Sequence, residues 1–119
     1  MADVLAFVDD IFFQAKILET ARHVGVTVKA VTQPAALLAE VQQDSPRLVV
    51  VDLNARAGGV EAIVQLRTAG AKLPVVAFLS HVQVDLAERA KAAGCANVLP
   101  RSKFTQNLAT ILAQAKSKG

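Results

Sequence analysis

The sequence predicts an α/β domain built on a doubly wound parallel sheet, and three features of it do so. First, apolar runs without polar alternation recur along the chain, at Val4-Leu5-Ala6-Phe7-Val8, Leu48-Val49-Val50-Val51 and Val75-Val76-Ala77-Phe78-Leu79. A strand of that kind is covered on both faces, as in the centre of a parallel sheet. Second, the segments between these runs carry apolar residues at helical spacing, so strand and helix alternate. Third, two of the runs end in carboxylates, Asp9-Asp10 and Asp52, at the strand ends where such sheets place their ligands.

Taken in order, strand 1 is Val4 to Val8, and Phe13, Ile17, Ala21 and Val24 mark a first helix ended by Gly25 as C-cap. Val26-Thr27-Val28-Lys29-Ala30-Val31 alternates, as expected of a strand with one wetter face near a sheet edge. Pro34 opens a second helix carrying Leu37, Leu38 and Val41, and Ser45-Pro46 breaks it before strand 3. Ala55-Arg56-Ala57-Gly58-Gly59 is a loop. Val60, Ile63, Val64 and Leu66 form a third helix, stopped near Gly70. Pro74 to Leu79 is strand 4, and Val82, Leu86, Ala90 and Ala93 give a fourth helix ended by Gly94. Ala96-Asn97-Val98-Leu99 is a short strand 5. Ser102 is the expected N-cap of a last helix with Phe104, Leu108, Ile111, Leu112 and Ala115 inward.

Five strands alternating with five helices require right-handed crossovers. At this size the expected architecture is a flavodoxin-like (βα)5 three-layer sandwich with strand order 2-1-3-4-5. The whole chain, residues 1–119, is expected to be one domain. In that order strands 1 and 3 are neighbours at the switch point, so Asp9, Asp10 and Asp52 converge, with the ends of strands 4 and 5 near Leu79 and Arg101 completing the cleft.

Composition narrows the function classes. The chain is 53% hydrophobic and 19% charged with 6 Gly and 4 Pro, the balance of an ordered globular domain. No apolar run approaches the roughly 20 residues that span a bilayer, so no membrane role is expected. The start Met1-Ala2-Asp3-Val4 has no signal-peptide pattern. The single Cys95 has no internal disulfide partner, in keeping with a cytoplasmic setting, and reads as a small buried filler. Although the net charge is +3 and the pI near 9.4, the basic residues are scattered from Lys16 to Lys118 without interleaved aromatics. No nucleic-acid surface is expected. Lys116-Ser117-Lys118 reads as a solvated helix end.

Three carboxylates brought to one place repel one another. A hard divalent cation such as Mg²⁺, which takes oxygen ligands, would resolve the conflict and help hold a phosphoryl group. An ionised carboxylate can then act as nucleophile and form an aspartyl phosphate. The plainer reading is that Asp9 or Asp10 caps the first helix and Asp52 merely closes a strand.

With Val8-Asp9-Asp10 after strand 1 and Val51-Asp52-Leu53-Asn54 after strand 3, the chain resembles the receiver domain of bacterial response regulators, whose single-domain form is CheY-like. Leu73-Pro74-Val75-Val76 and Ala92-Ala93-Gly94-Cys95 extend the resemblance over nearly the whole chain. The resemblance implies that Asp52 is the phosphoacceptor and that Asp9 and Asp10 are the acidic pair, with Asp10 the more direct Mg²⁺ ligand. It further implies that Asn54 offers its backbone carbonyl to the metal. Its implied partner is a histidine kinase or phosphotransfer protein that supplies the phosphoryl group from a phosphohistidine. Such a domain is not a dedicated enzyme, although it can remove its own phosphoryl group.

The departures from the family pattern fall on its readout positions. Where the family has a Ser or Thr at the end of strand 4, this chain has Leu79, and Ser80 one residue on points to the other face of a regular strand. A hydroxyl contact to a charged group is worth on the order of 1.5–3 kcal/mol. The family Lys after strand 5 aligns with Arg101, which keeps the charge with a different geometry; Lys103 is a possible substitute from the loop. The aromatic of strand 5 aligns with Val98, and the chain has no Tyr or Trp. Arg56 and His81 are read as solvent-facing loop residues.

The first function expected is a stand-alone receiver that accepts a phosphoryl group on Asp52 and signals to a downstream protein. The second is a degenerate receiver that acts as a phosphorylation-independent interaction module, motivated by Leu79, Val98 and Arg101. Cofactor enzymes on the same fold are disfavoured. Asp9-Asp10-Ile11-Phe12 is no phosphate loop for a flavin, and neither an Asp-x-His-x-x-Gly loop nor an Asp-x-Asp on strand 1 is present. With no output domain expected after the last helix, the signal would leave by binding. The face of helix 4, strand 5 and helix 5 (Leu86 to Ala93, Val98, Phe104 to Ala115) is the expected site for partners or a homodimer.

Overall fold

The structure, a computed structural model, describes residues 2–80 and 83–116. Its strands are β1 (Val4–Phe7), β2 (Val28–Val31), β3 (Leu48–Asp52), β4 (Val75–Leu79) and β5 (Asn97–Pro100). They pair in parallel in the order β2-β1-β3-β4-β5, the order expected from the sequence. The helices are α1 (Ile11–Val24), α2 (Pro34–Asp44), α3 (Gly59–Thr68), α4 (Val84–Ala92), α5 (Arg101–Gln106) and α6 (Leu108–Ala113).

The unalternating apolar runs are buried along their whole length in β1, β3 and β4, because helices cover both sheet faces. Leu5, Phe7, Val49, Val51, Ala77 and Leu79 face one core with α2 and α3. Ala6, Val8, Val50 and Phe78 face the other, with α1, α5 and α6. Period-two alternation thus sends Phe78 and Leu79 to opposite sides. Cys95 is buried, its thiol donating to the carbonyls of Val75 and Asn97. Edge strand β2 is wetter than the inner strands, with only Val31 buried.

Several boundaries differ from the sequence expectation. Strand β2 starts at Val28 rather than Val26, because the Val26 amide is spent on the Ala21 carbonyl, at the α1 C-terminus capped by Gly25. The last helix is not continuous. Asn107 interrupts it, with φ −105° and ψ 11°, and its Nδ2 donates to the Lys103 carbonyl at 2.9 Å. The expected inward residues survive the break: Phe104, Leu108, Ile111, Leu112 and Ala115 are all buried. Ser102 is not the N-cap. The helix begins at Arg101, directly from Pro100 at the end of β5, and no side chain caps it. Val64 is 39% exposed rather than inward. Val82, expected to open the fourth helix, lies outside the described residues, as do Ser117 and Lys118.

Candidate functional site

Register brings the acids to one end of the sheet. Phe7 pairs with Val51, so Asp52 and the Val8-Asp9-Asp10 turn leave neighbouring strands side by side. Among the described residues Asp52 is the only buried polar or charged one, at 4% exposure. Its Oδ1 accepts the Asn54 amide at 2.8 Å. The loop that follows folds back closely: a Cβ on Gly59 would stand 2.6 Å from the Asp52 carbonyl oxygen and 2.7 Å from Leu53 Cα, so only glycine lets α3 start against the end of β3.

Asp10 has extended backbone and is the N-cap of α1, its Oδ1 accepting the amides of Phe12 (3.0 Å) and Phe13 (3.2 Å). The plain capping role and a place in the acid cluster thus coexist in one carboxylate. Asp9 Oδ2 accepts the Arg56 amide at 2.9 Å and ties the β1–α1 turn to the loop after β3; Arg56 itself is exposed, as expected. Asn54 is joined to the ends of β3 and β4 by its amide on Asp52 and by its side chain.

Arg101 enters from the start of α5. Its Nη2 lies 3.6 Å from Asp10 Oδ2 and 3.8 Å from Asp52 Oδ2, in each of these two carboxylates the oxygen that no backbone amide engages. Its guanidinium carbon sits 4.3 Å over the Phe13 ring and 5.6 Å from that of Phe78, a cation–π arrangement. Phe78 in turn stacks on Phe104, centroids 4.6 Å apart. Lys103, two residues on, is exposed. Two positions of a helix stand about 200° apart, so it faces away from Arg101.

Burial pushes the Asp52 carboxyl above its usual pKa, and the neighbouring Asp9 and Asp10 push the same way; the Asn54 amide and Arg101 pull against them. The result is a carboxylate held out of water and more basic than an ordinary aspartate.

The donor chemistry fits a hard divalent ion: Asp9, Asp10 and Asp52 are oxygen donors at one end of the sheet, beside the Asn54 backbone. In the arrangement of the structure, however, the cation facing the free oxygens of Asp10 and Asp52 is the Arg101 guanidinium. Among the described residues no group of three or more His, Cys, Asp or Glu is gathered tightly enough to hold a metal.

Leu79 is not turned to this cluster. It is 4% exposed and packs in the core on the α2–α3 side, while Arg101 and Phe78 lie on the other side. Ser80 reaches the cluster through its backbone amide, which donates to Asn54 Oδ1. His81 lies outside the described residues. The sequence reading missed two contributors. Phe13, taken only as an inward helix residue, is also the platform for Arg101, and the Asn54 side chain is a tie between loops. An aromatic three residues after Asp10 on the face toward the last helix is the signal that bears on the first.

The family model described as the response regulator receiver domain matches residues 5–113. No curated protein sequence matches the chain. Among solved structures, the chemotaxis protein CheY4 of Vibrio cholerae superposes with a TM-score of 0.83 at 21% identity, over 98% of this chain and 99% of that one. The receiver domain of NtrX from Brucella abortus superposes with a TM-score of 0.81 at 19% identity, over 98% and 100%. The phosphorylated cyanobacterial phytochrome response regulator RcpA does so with a TM-score of 0.77 at 18% identity, over 95% and 89%.

Proposed function

The chain belongs to the response regulator receiver domain family, and from that premise we propose that it accepts a phosphoryl group on Asp52 from a histidine kinase or a phosphotransfer protein and passes the signal on by protein contact. The observation that carries this reading is the state of Asp52: a buried carboxylate at the end of a central strand, one oxygen fixed by the Asn54 amide and the other turned to Arg101.

In the proposed step Asp52 Oδ2 attacks the phosphorus of a phosphohistidine. A P–O bond forms as the P–N bond breaks, and the leaving imidazole takes up a proton. Burial raises the basicity of the attacking oxygen. Arg101, close to Asp52 Oδ2, is placed to pair with the added phosphoryl charge through its planar donor fork. Asp9, Asp10, Asp52 and the Asn54 carbonyl are the groups that would hold Mg²⁺. When bound, the ion would supply charge neutralisation for the incoming phosphoryl group. Water attack on the aspartyl phosphate would reset the domain, which makes it a receiver of phosphoryl groups rather than a dedicated enzyme.

A cytoplasmic location accords with a kinase-fed receiver, and among the described residues no helix is long and apolar enough to cross a membrane. The surface for a downstream protein or a second copy is the α4–β5 face continued by α5 and α6. A groove of about 260 Å³ lies there, lined by Val84, Ala87 and Val98 among others.

A second reading, a receiver that binds partners without phosphorylation, is favoured by one observation. Arg101 already places a positive charge beside Asp10 and Asp52, and Leu79 offers no hydroxyl to the pocket. Mass spectrometry after incubation with Mg²⁺ and a small acyl phosphate separates the two. The first expects one phosphoryl group on the wild type and none on Asp52→Asn; an unmodified wild type selects the second.

A further inference from the structure

We propose that Arg101 is the resident cation of the acid pocket and keeps divalent metal ions from it, so that metal binding requires the guanidinium to withdraw. The inference rests on reading Asp9, Asp10 and Asp52 as the metal-binding carboxylates.

Three observations place Arg101 in that role. Its Nη2 reaches the oxygens of Asp10 and Asp52 that backbone amides leave free, 3.6 Å from Asp10 and 3.8 Å from Asp52. A divalent ion bound to those oxygens would sit within a few ångströms of a guanidinium charge, and like charges at that distance repel strongly when partly shielded from water.

The second observation is what holds the group in place. The guanidinium is stacked 4.3 Å over Phe13, which belongs to an aromatic cluster with Phe78 and Phe104, all three buried. A lysine ammonium on its flexible stem could swing into water at little cost. A guanidinium laid flat on a ring gives up that contact when it leaves.

Third, Arg101 Nε is buried without a hydrogen-bond partner among the described residues. The side chain forgoes that bond while it keeps its position at the carboxylates and on the ring. Phe13 is also the residue whose amide Asp10 caps. The start of α1 therefore carries both the carboxylate and the platform for its cation, so the pair is built as one unit.

The test is direct Mn²⁺ titration of the full chain, followed by the paramagnetic broadening of its amide signals and by water-proton relaxation. No phosphoryl donor is present. The variants are Arg101→Met, which keeps an apolar stem without charge, and Phe13→Leu, which keeps the charge without the ring. Arg101→Met is expected to bind Mn²⁺ at least tenfold more tightly than the wild type, and Phe13→Leu to bind more tightly than the wild type by a smaller factor. Added Mg²⁺ is expected to raise the melting midpoint of Arg101→Met more than that of the wild type. A gain below tenfold in Arg101→Met overturns the proposal while leaving the ligand assignment intact. An absence of binding in every variant overturns both. Should Arg101→Met fail to fold, Phe13→Leu decides, and an affinity no higher than the wild type's overturns the proposal. None of these outcomes bears on whether Asp52 takes a phosphoryl group, which the acyl phosphate experiment reads separately.

Discussion

Asn54 Oδ1 accepts the backbone amide of Ser80 at 2.7 Å, while its Nδ2 donates to Gln83 Oε1 at 2.9 Å. One side chain from the end of β3 thereby fixes both the end of β4 and the start of α4. The amide of Asn54 also holds Asp52 Oδ1, so the residue links the buried carboxylate to the loop that leads to the α4–β5 face.

Removing that side chain should loosen the β4–α4 loop without disturbing the sheet. Asn54→Ala keeps the backbone bond to Asp52 and deletes two side-chain bonds. The Ser80 amide is exposed and water can replace its partner, so the cost is expected to be about 0.5–1.5 kcal/mol. Hydrogen exchange followed by NMR checks it. The Ser80 amide should exchange several-fold faster, with protection in β1 and β3 unchanged. An unchanged Ser80 rate would show that the tie does not hold the loop.

The raised pKa of Asp52 makes it a group that folding disfavours in its charged form. Burial is the main cause, with Asp9 and Asp10 adding to it. For a carboxyl whose folded pKa exceeds its unfolded one, protonation favours the folded state. Its stability is fully present below the unfolded pKa and is lost as pH rises through the folded value. Asp52→Asn removes that penalty, so the variant should melt above the wild type at pH 7. A gain of about 1 kcal/mol corresponds to roughly 4 °C in a domain of this size. The difference should shrink as pH falls from 7 toward the ordinary carboxyl pKa of about 4, and be gone below it, where the wild type protonates in both states. Calorimetry across that range checks both halves; a variant that melts lower at pH 7 would mean that Arg101 and the Asn54 amide outweigh burial.

Much of this arrangement was legible in the sequence because it follows from periodicity and strand order. Val4 to Val8, Leu48 to Val51 and Val75 to Leu79 carry no polar alternation, which marks them as inner strands, and strand order then brings Asp9, Asp10 and Asp52 to one end of the sheet. What stayed hidden depends on side-chain direction and on single hydrogen bonds. Ser102 has the chemistry of an N-cap, yet β5 runs through Pro100 straight into the helix and leaves no turn for it to cap. Asn107 looks like any polar residue of an amphipathic helix, and nothing local in the sequence records that its backbone leaves helical geometry there, with its side chain joining its own amide on the Lys103 carbonyl. The stacking of Arg101 on Phe13 joins residues 88 positions apart in sequence (101 − 13) on different elements, and no local pattern records it.

Leu79 gives the last test, because the resemblance to the family leads one to expect a hydroxyl there, yet it packs as a core residue. Alternation along β4 turns it to the side of Phe7, Val51 and Ala77, at 4% exposure, and it also lines the groove with Val84 and Val98. Leu79→Thr removes carbon volume from that core and buries a hydroxyl in its place. The two effects together are expected to cost about 2–4 kcal/mol. Leu79→Val, which shortens the side chain by one carbon without adding a polar atom, should cost only about 1 kcal/mol. Urea unfolding of the three proteins checks the order. Midpoints should fall from wild type to Leu79→Val to Leu79→Thr, with slopes unchanged because the surface exposed on unfolding stays the same. Should Leu79→Thr match Leu79→Val, the hydroxyl has found a partner within the fold, and position 79 would then be open to a polar side chain.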